Sequence, residues 1–146
     1  MSRITAILAV ALCAACGQKP PAEPPEKSAA PANTNIADRD WVLVALGDKA
    51  ALVGPQQKPP TLRLSSADSR ATGFAGCNQY FAKYSLRDDS LKFESPGATK
   101  MYCAASDSLE RAFLGTLPDV ATYQVRDTVL ALSTKSGTVA RFHAAH

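Results

Sequence analysis

The sequence predicts one mainly β (α+β) domain, a small antiparallel barrel or curled sheet with a single helix near residues 107–117. Three observations predict it. Short apolar stretches recur, several alternating with period two; turn residues punctuate them at close intervals; and one stretch alone has helical spacing. Many short strands with one late helix favour a sheet that curls on itself, the helix closing an end or a face.

Taken in order, Trp41–Leu46 is apolar and bounded by Asp40 and Gly47. Thr61–Ser65 alternates strictly, after Pro59 and Pro60 have broken the chain. Ala71–Ala75 and Gln79–Leu86 read as strands on either side of Gly76, Cys77 and Asn78, and Ser90–Glu94 follows the turn-like Asp88 and Asp89. Three more strands close the sequence, Val120–Arg126, Thr128–Ser133 and Thr138–His143, with turns supplied by Asp127 and by Ser136 and Gly137. Between them, Leu109, Ala112, Phe113 and Leu117 fall at helical spacing from Asp107 to Leu117. Asp107 with Glu110 three residues on has the form of a capping box, and Pro118 ends the helix.

The length of 146 residues suits one domain. From Asp38 to His146 there are 13 basic residues once Arg3, Lys19 and Lys27 are set aside, against 11 acidic once Glu23 and Glu26 are. So mild and scattered a charge excludes a nucleic-acid partner.

The first residues give an address. Arg3 is the only charge before Lys19; Ile4–Leu12 is apolar apart from Thr5 and exits through Cys13, Ala14, Ala15 and Cys16. This is a signal peptide over 1–15, too short for a membrane span of about 20 apolar residues. Its end resembles the bacterial lipobox, in which the cleaved chain begins with an acylated Cys, here Cys16. Cys13 stands where Leu is usual, and acylation of Cys13 would instead put Leu12 at the cleavage junction. By the same resemblance Gly17, in place of Asp, favours the outer membrane, with the domain facing the periplasm. The expected membrane partner is therefore reached through a lipid anchor. Residues 16–37 hold five prolines and one large aliphatic, Ile36. They read as a disordered Pro/Ala-rich tether of roughly 60 Å at ~3 Å per residue. The folded domain is expected over 38–146.

Asp40-Trp41-Val42-Leu43 opens a pattern that continues with Gly73-Phe74-Ala75-Gly76-Cys77-Asn78-Gln79-Tyr80 and Thr99-Lys100-Met101-Tyr102-Cys103, then Glu110, Phe113 and Tyr123. In order and spacing this resembles the META domain, or HslJ-like, family over nearly the whole folded part. Tyr102 departs from the more frequent Ala, and Ala82 from a Gly common after the first motif. The resemblance implies a cracked antiparallel barrel with one helix, like that of secretin pilotins, in bacterial envelope lipoproteins linked to stress and antibiotic tolerance. It implies no enzyme, and supplies no catalytic residue to carry over.

The motif residues also have direct readings. Gly73 and Gly76 allow a bulge or tight bend before Cys77. Asn78 can lock that bend through its amide or occupy the left-handed region. Trp41, the only Trp, plugs the core or stacks on a ligand. Tyr80 and Tyr84 share one strand face, with Phe81 on the other.

With Cys13 removed and Cys16 acylated, Cys77 and Cys103 remain, and an even pair in an exported domain reads as a disulfide. Competing readings are a redox pair, a metal site with His143 and His146, and a nucleophilic Cys77. The first lacks C-x-x-C spacing, the second needs a loose C-terminus to converge, and the third lacks an orienting group. Asp88 and Asp89 fit a turn better than an acid/base pair. No catalytic residue, metal or cofactor is expected.

Two functions are weighed above a cell-wall hydrolase, which would need a polar cleft with perturbed carboxylates. One is a non-catalytic envelope lipoprotein that acts through a protein partner. The other is a pilotin-like carrier holding an acyl chain or apolar peptide as ligand among strand residues, Leu109 and Phe113; filling of that space by Trp41, Phe74 and Leu132 would oppose it.

Overall fold

A computed structural model describes residues 35–51 and 58–145. The expected signal peptide, Cys16 and most of the tether lie outside the described residues. Nine strands and one helix follow in the order β1 (Asp40–Leu46), β2 (Lys49–Ala50), β3 (Thr61–Ser65), β4 (Arg70–Phe74), β5 (Gln79–Arg87), β6 (Ser90–Ala98), α1 (Asp107–Thr116), β7 (Thr122–Arg126), β8 (Val129–Thr134) and β9 (Gly137–Ala144). A 3-10 turn, Leu117–Asp119, continues α1, so the expected helix ends one residue early and tightens. None of these helices is long and apolar enough to cross a membrane.

Every pairing is antiparallel, and β1 pairs with β9 as well as with β2 and β3, so the sheet returns on itself. The ring is not regular. β6 and β7 share only the pair Ser90–Thr122, and the 3-10 turn packs against β6 where further pairs would have formed. This is the mainly β, cracked barrel that the sequence predicted.

Period-two alternation places the core. On β5, Tyr80, Ala82 and Tyr84 point inward while Phe81 and Lys83 point out. Trp41, Leu43, Leu62, Leu64, Leu91, Leu130, Leu132 and Phe142 line the interior from the other strands. The helix contributes Phe113, which meets the edge of Tyr80 at 5.5 Å and Phe142 at 6.1 Å between ring centroids. Such edge-to-face contacts add about 0.5–1.5 kcal/mol each beyond burial.

Four differences from the expected elements have local causes. β6 runs to Ala98 rather than Glu94, because Ser95 and Pro96 together face Ala82 in a bulge, with Ser95 at φ 49°. A proline is tolerated at such a position, where no ladder bond needs its N–H. β2 was not foreseen: Gly47 at φ 59° turns β1 back on itself. β7 starts at Thr122, because Val120 belongs to the end of the 3-10 turn. Finally, the domain begins earlier than Asp38. Ile36 is fully buried and its carbonyl accepts the Trp41 Nε1–H at 3.0 Å, so the last residues assigned to the tether are part of the fold.

Candidate functional site

The motif residues converge where α1 meets the bend between β4 and β5. Gly76, at φ 123°, makes the bend, and a Cβ there would lie 3.4 Å from the Ser106 Cβ. The bend turns the Cys77 and Asn78 backbone N–H groups toward α1. Glu110 Oε2 accepts both, at 2.9 and 2.7 Å, and Oε1 accepts the Asn78 Nδ2–H at 2.7 Å.

Asn78 then holds a second segment. Its Nδ2 also donates to the Met101 carbonyl at 3.0 Å, while its Oδ1 accepts the Met101 N–H at 2.7 Å and the Thr99 hydroxyl at 2.8 Å. The amide therefore uses both hydrogens and both lone pairs, as a residue only 3% exposed must. Of the two readings open for Asn78 the first is correct: it locks the bend through its side chain, and its φ is not positive. The Cys77–Cys103 disulfide, with Cα atoms 5.8 Å apart, ties the far end of the same segment. The Cys103 carbonyl accepts the N–H groups of Ser106 and Asp107, each at 3.0 Å, and so leads directly into α1.

Glu110 was read as half of a capping box, and that reading is corrected. Ser106, not Asp107, is the N-cap, and no side chain caps it. The Glu110 carboxylate serves Cys77 and Asn78, more than thirty residues back. Desolvation pushes its pKa up, but the hydrogen bonds from the Asn78 side chain and from the Asn78 and Cys77 backbones outweigh it and hold the carboxyl below its ordinary value. The overlooked signal was the helix face: Glu110 shares with Phe113 and Leu117 the side of α1 that packs inward, and a carboxylate there needs donors.

The remaining motif residues support this clamp from behind. Gly73 lies in regular pairing with Tyr80, not in a bulge. An added Cβ would collide with the Thr61 carbonyl and sit 2.9 Å from the Tyr80 ring. That carbonyl accepts the Tyr80 hydroxyl at 2.8 Å, and burial pushes the phenol pKa well up. Trp41 is sealed in the core, so the ligand-stacking alternative is closed.

The side chains of this cluster hold backbone to backbone. A bridged Cys77 offers neither a thiolate nucleophile nor a thiolate ligand, which removes the Cys–His metal reading; His143 is exposed on β9, and His146 lies outside the described residues. Among the described residues no three His, Cys, Asp or Glu side chains are grouped to hold a metal ion. Asp88, at φ 51°, forms a turn with Asp89, and their carbonyls accept the Tyr123 hydroxyl and N–H, each at 2.9 Å.

The clamp presents two large hydrophobic side chains beside the exposed Lys100. With the backbone of 99–103 fixed from beneath, the Met101 and Tyr102 side chains stand out at 65% and 84% exposure.

The family profile of the META domain matches residues 34–146. A protein from Burkholderia xenovorans solved by NMR is 30% identical over 86% of this chain and 98% of its own, with a TM-score of 0.65. A second NMR structure, 20% identical, covers 72% of this chain and 87% of its own at a TM-score of 0.58. A crystal structure of a DUF4847 family protein from Bacteroides vulgatus is 16% identical over 74% and 93%, with a TM-score of 0.52. The last two are likenesses of fold alone. Among curated proteins none matches this chain.

Proposed function

The chain belongs to the META domain family, and from that premise we propose that it is a non-catalytic lipoprotein of the bacterial outer membrane. Its lipid anchor is Cys16, its folded part faces the periplasm, and it supports envelope integrity or stress and antibiotic tolerance through contact with another protein. One observation carries the reading. The most heavily built polar cluster among the described residues spends every donor and acceptor of Asn78 on fixing a loop whose two large hydrophobic side chains face solvent. A catalytic cluster would leave a polar group free for substrate. A contact surface gains from a backbone fixed in advance, because less freedom is lost on binding.

The alternative, a carrier with an acyl chain or apolar peptide inside the barrel, has less support. Trp41, Phe113, Leu132 and Phe142 already fill the interior, whereas Phe74, expected to join them, is half-buried outside the core cluster.

Two experiments test the proposal. Cys16→Ser should move the protein from the membrane to the soluble periplasmic fraction and abolish palmitate labelling. A photoreactive amino acid at position 102 should give a discrete protein adduct in living cells. An unchanged fraction would remove the anchor, and no adduct would remove the contact surface.

A further inference from the structure

Few side chains among the described residues are open to a mild oxidant. Cys77 and Cys103 are joined to each other, so neither offers a thiol. Trp41, the only Trp, is sealed in the core, and Tyr80, Tyr84 and Tyr123 are buried with it. Besides Met1 the chain has one methionine, Met101, and that residue is 65% exposed. Once thiols are removed, an exposed thioether is the side chain that a peroxide oxidises first.

The backbone around that sulfur does not depend on it. Asn78 Oδ1 accepts the Met101 N–H at 2.7 Å, Asn78 Nδ2 donates to the Met101 carbonyl at 3.0 Å, and the bridge holds Cys103 two residues on. The Met101 side chain has no part in the core cluster. A change at the sulfur therefore alters what the loop displays and leaves intact what holds it.

We propose that Met101 is a reversible oxidation site, converted to the sulfoxide by a peroxide, and that this turns off the contact surface at Met101 and Tyr102 without loosening the fold. The step balances. A sulfur lone pair attacks one peroxide oxygen, the O–O bond breaks and an S–O bond forms. Sulfur loses two electrons, and hydrogen peroxide, having given up one oxygen, leaves as water. Two thiols reverse the change, releasing the oxygen as water and becoming a disulfide. An apolar thioether thus becomes a polar group, whose hydration a partner must strip before contact. Conversely, a partner seated on the loop shields the sulfur, so binding and oxidation oppose each other. Regulation by oxidation rests on the contact surface proposed above; the susceptibility of the sulfur does not.

The test begins with the full-length chain, purified with its disulfide intact and treated with hydrogen peroxide. The tryptic peptide that starts at Met101, after Lys100, should gain the mass of one oxygen. Its rate should lie within about threefold of the rate in the urea-unfolded chain, and the melting temperature should move by less than about 2 °C. In cells carrying the photoreactive residue at position 102, peroxide before illumination should lower the adduct at least about fivefold. In a Met101→Leu background, whatever the starting yield, peroxide should not lower it. Oxidation more than about tenfold slower than in the unfolded chain, or a fall in melting temperature on oxidation, overturns the proposal. So does an adduct that survives peroxide, or one that is lost equally in Met101→Leu. If no adduct forms in untreated cells, the contact surface and its regulation fall together, while a readily oxidised Met101 stands as a modification site.

Discussion

The two ends of α1 are fastened by different physics. The first turn is held by directional bonds: a disulfide at Cys103, and the Glu110 carboxylate on the Cys77–Asn78 bend. The last turn has neither. Leu117 and Val120 sink into the core, while Gly115 faces open space. Directional bonds fix position to within a fraction of an ångström, whereas apolar packing fixes burial and tolerates small shifts. The end held by directional bonds is the one beside the exposed Met101 and Tyr102, so the two anchors of the helix differ in kind as well as in place.

Breaking each end separately should expose the contrast. The largest effect belongs to the bridge. Replacing Cys77 and Cys103 together by Ser should cost about 3.5 kcal/mol for a 26-residue closed loop, or ~15 °C in thermal circular dichroism. A loss below about 1 kcal/mol would mean that the Asn78 bonds hold the segment unaided. Next, Leu117→Ala at the packed end should cost about 3 kcal/mol in urea unfolding and leave the 99–103 amide resonances unmoved. Asn78→Ala should cost about 2 kcal/mol, because Glu110 and the Met101 backbone lose partners. Unlike Leu117→Ala, it should shift the resonances of Met101 and Tyr102.

Acid sharpens the comparison further. The Glu110 pKa is depressed in the folded state, so the unfolded chain binds more protons there. Its contribution is complete above the unfolded value near 4.5 and is lost as pH falls through the folded one. Glu110→Gln should flatten that part of the stability–pH curve. A residual acid slope should remain from Asp38, whose carboxyl is held below its ordinary value mainly by hydrogen bonds from the Ser66 hydroxyl and N–H. A slope unchanged by Glu110→Gln would mean that the carboxylate is not bonded as described. The smallest effect is a gain: Gly115→Ala should raise stability by about 1 kcal/mol, read as a higher urea midpoint.

The strands were legible because their signal is local. Thr61–Ser65 alternates in five consecutive residues and has the predicted bounds, and Gln79–Leu86 needed one residue more. β6 was cut short because Ser95 and Pro96 resemble a stop in sequence but occupy a bulge in space, after which Gly97 resumes the pairing with Phe81. At the candidate site, Gly76, Cys77, Asn78, Thr99, Met101 and Cys103 stood out as motif residues, and the disulfide was readable from the even pair of cysteines left once Cys13 and Cys16 were assigned to the expected signal and anchor. Their connection through Glu110 was not. An acidic residue three positions into a helix fits a capping box and a distant bond equally well, and only tertiary structure decides. Ile36 was hidden for the same reason: its neighbours are those of a tether, and its burial depends on the Trp41 indole.

Closure of the sheet also has a topological consequence. Ala145 donates its N–H to the Asp40 carbonyl at 2.8 Å, and Trp41 pairs with Ala144, so the first and last described segments lie side by side. A short linker from Ala145 to Asn35 could join them, and the backbone could be opened instead at Asp88–Asp89. Such a circular permutant would keep the same strand order around the ring while moving its termini to the seam. The order in which the chain is threaded and the shape that it takes are, in this domain, separable.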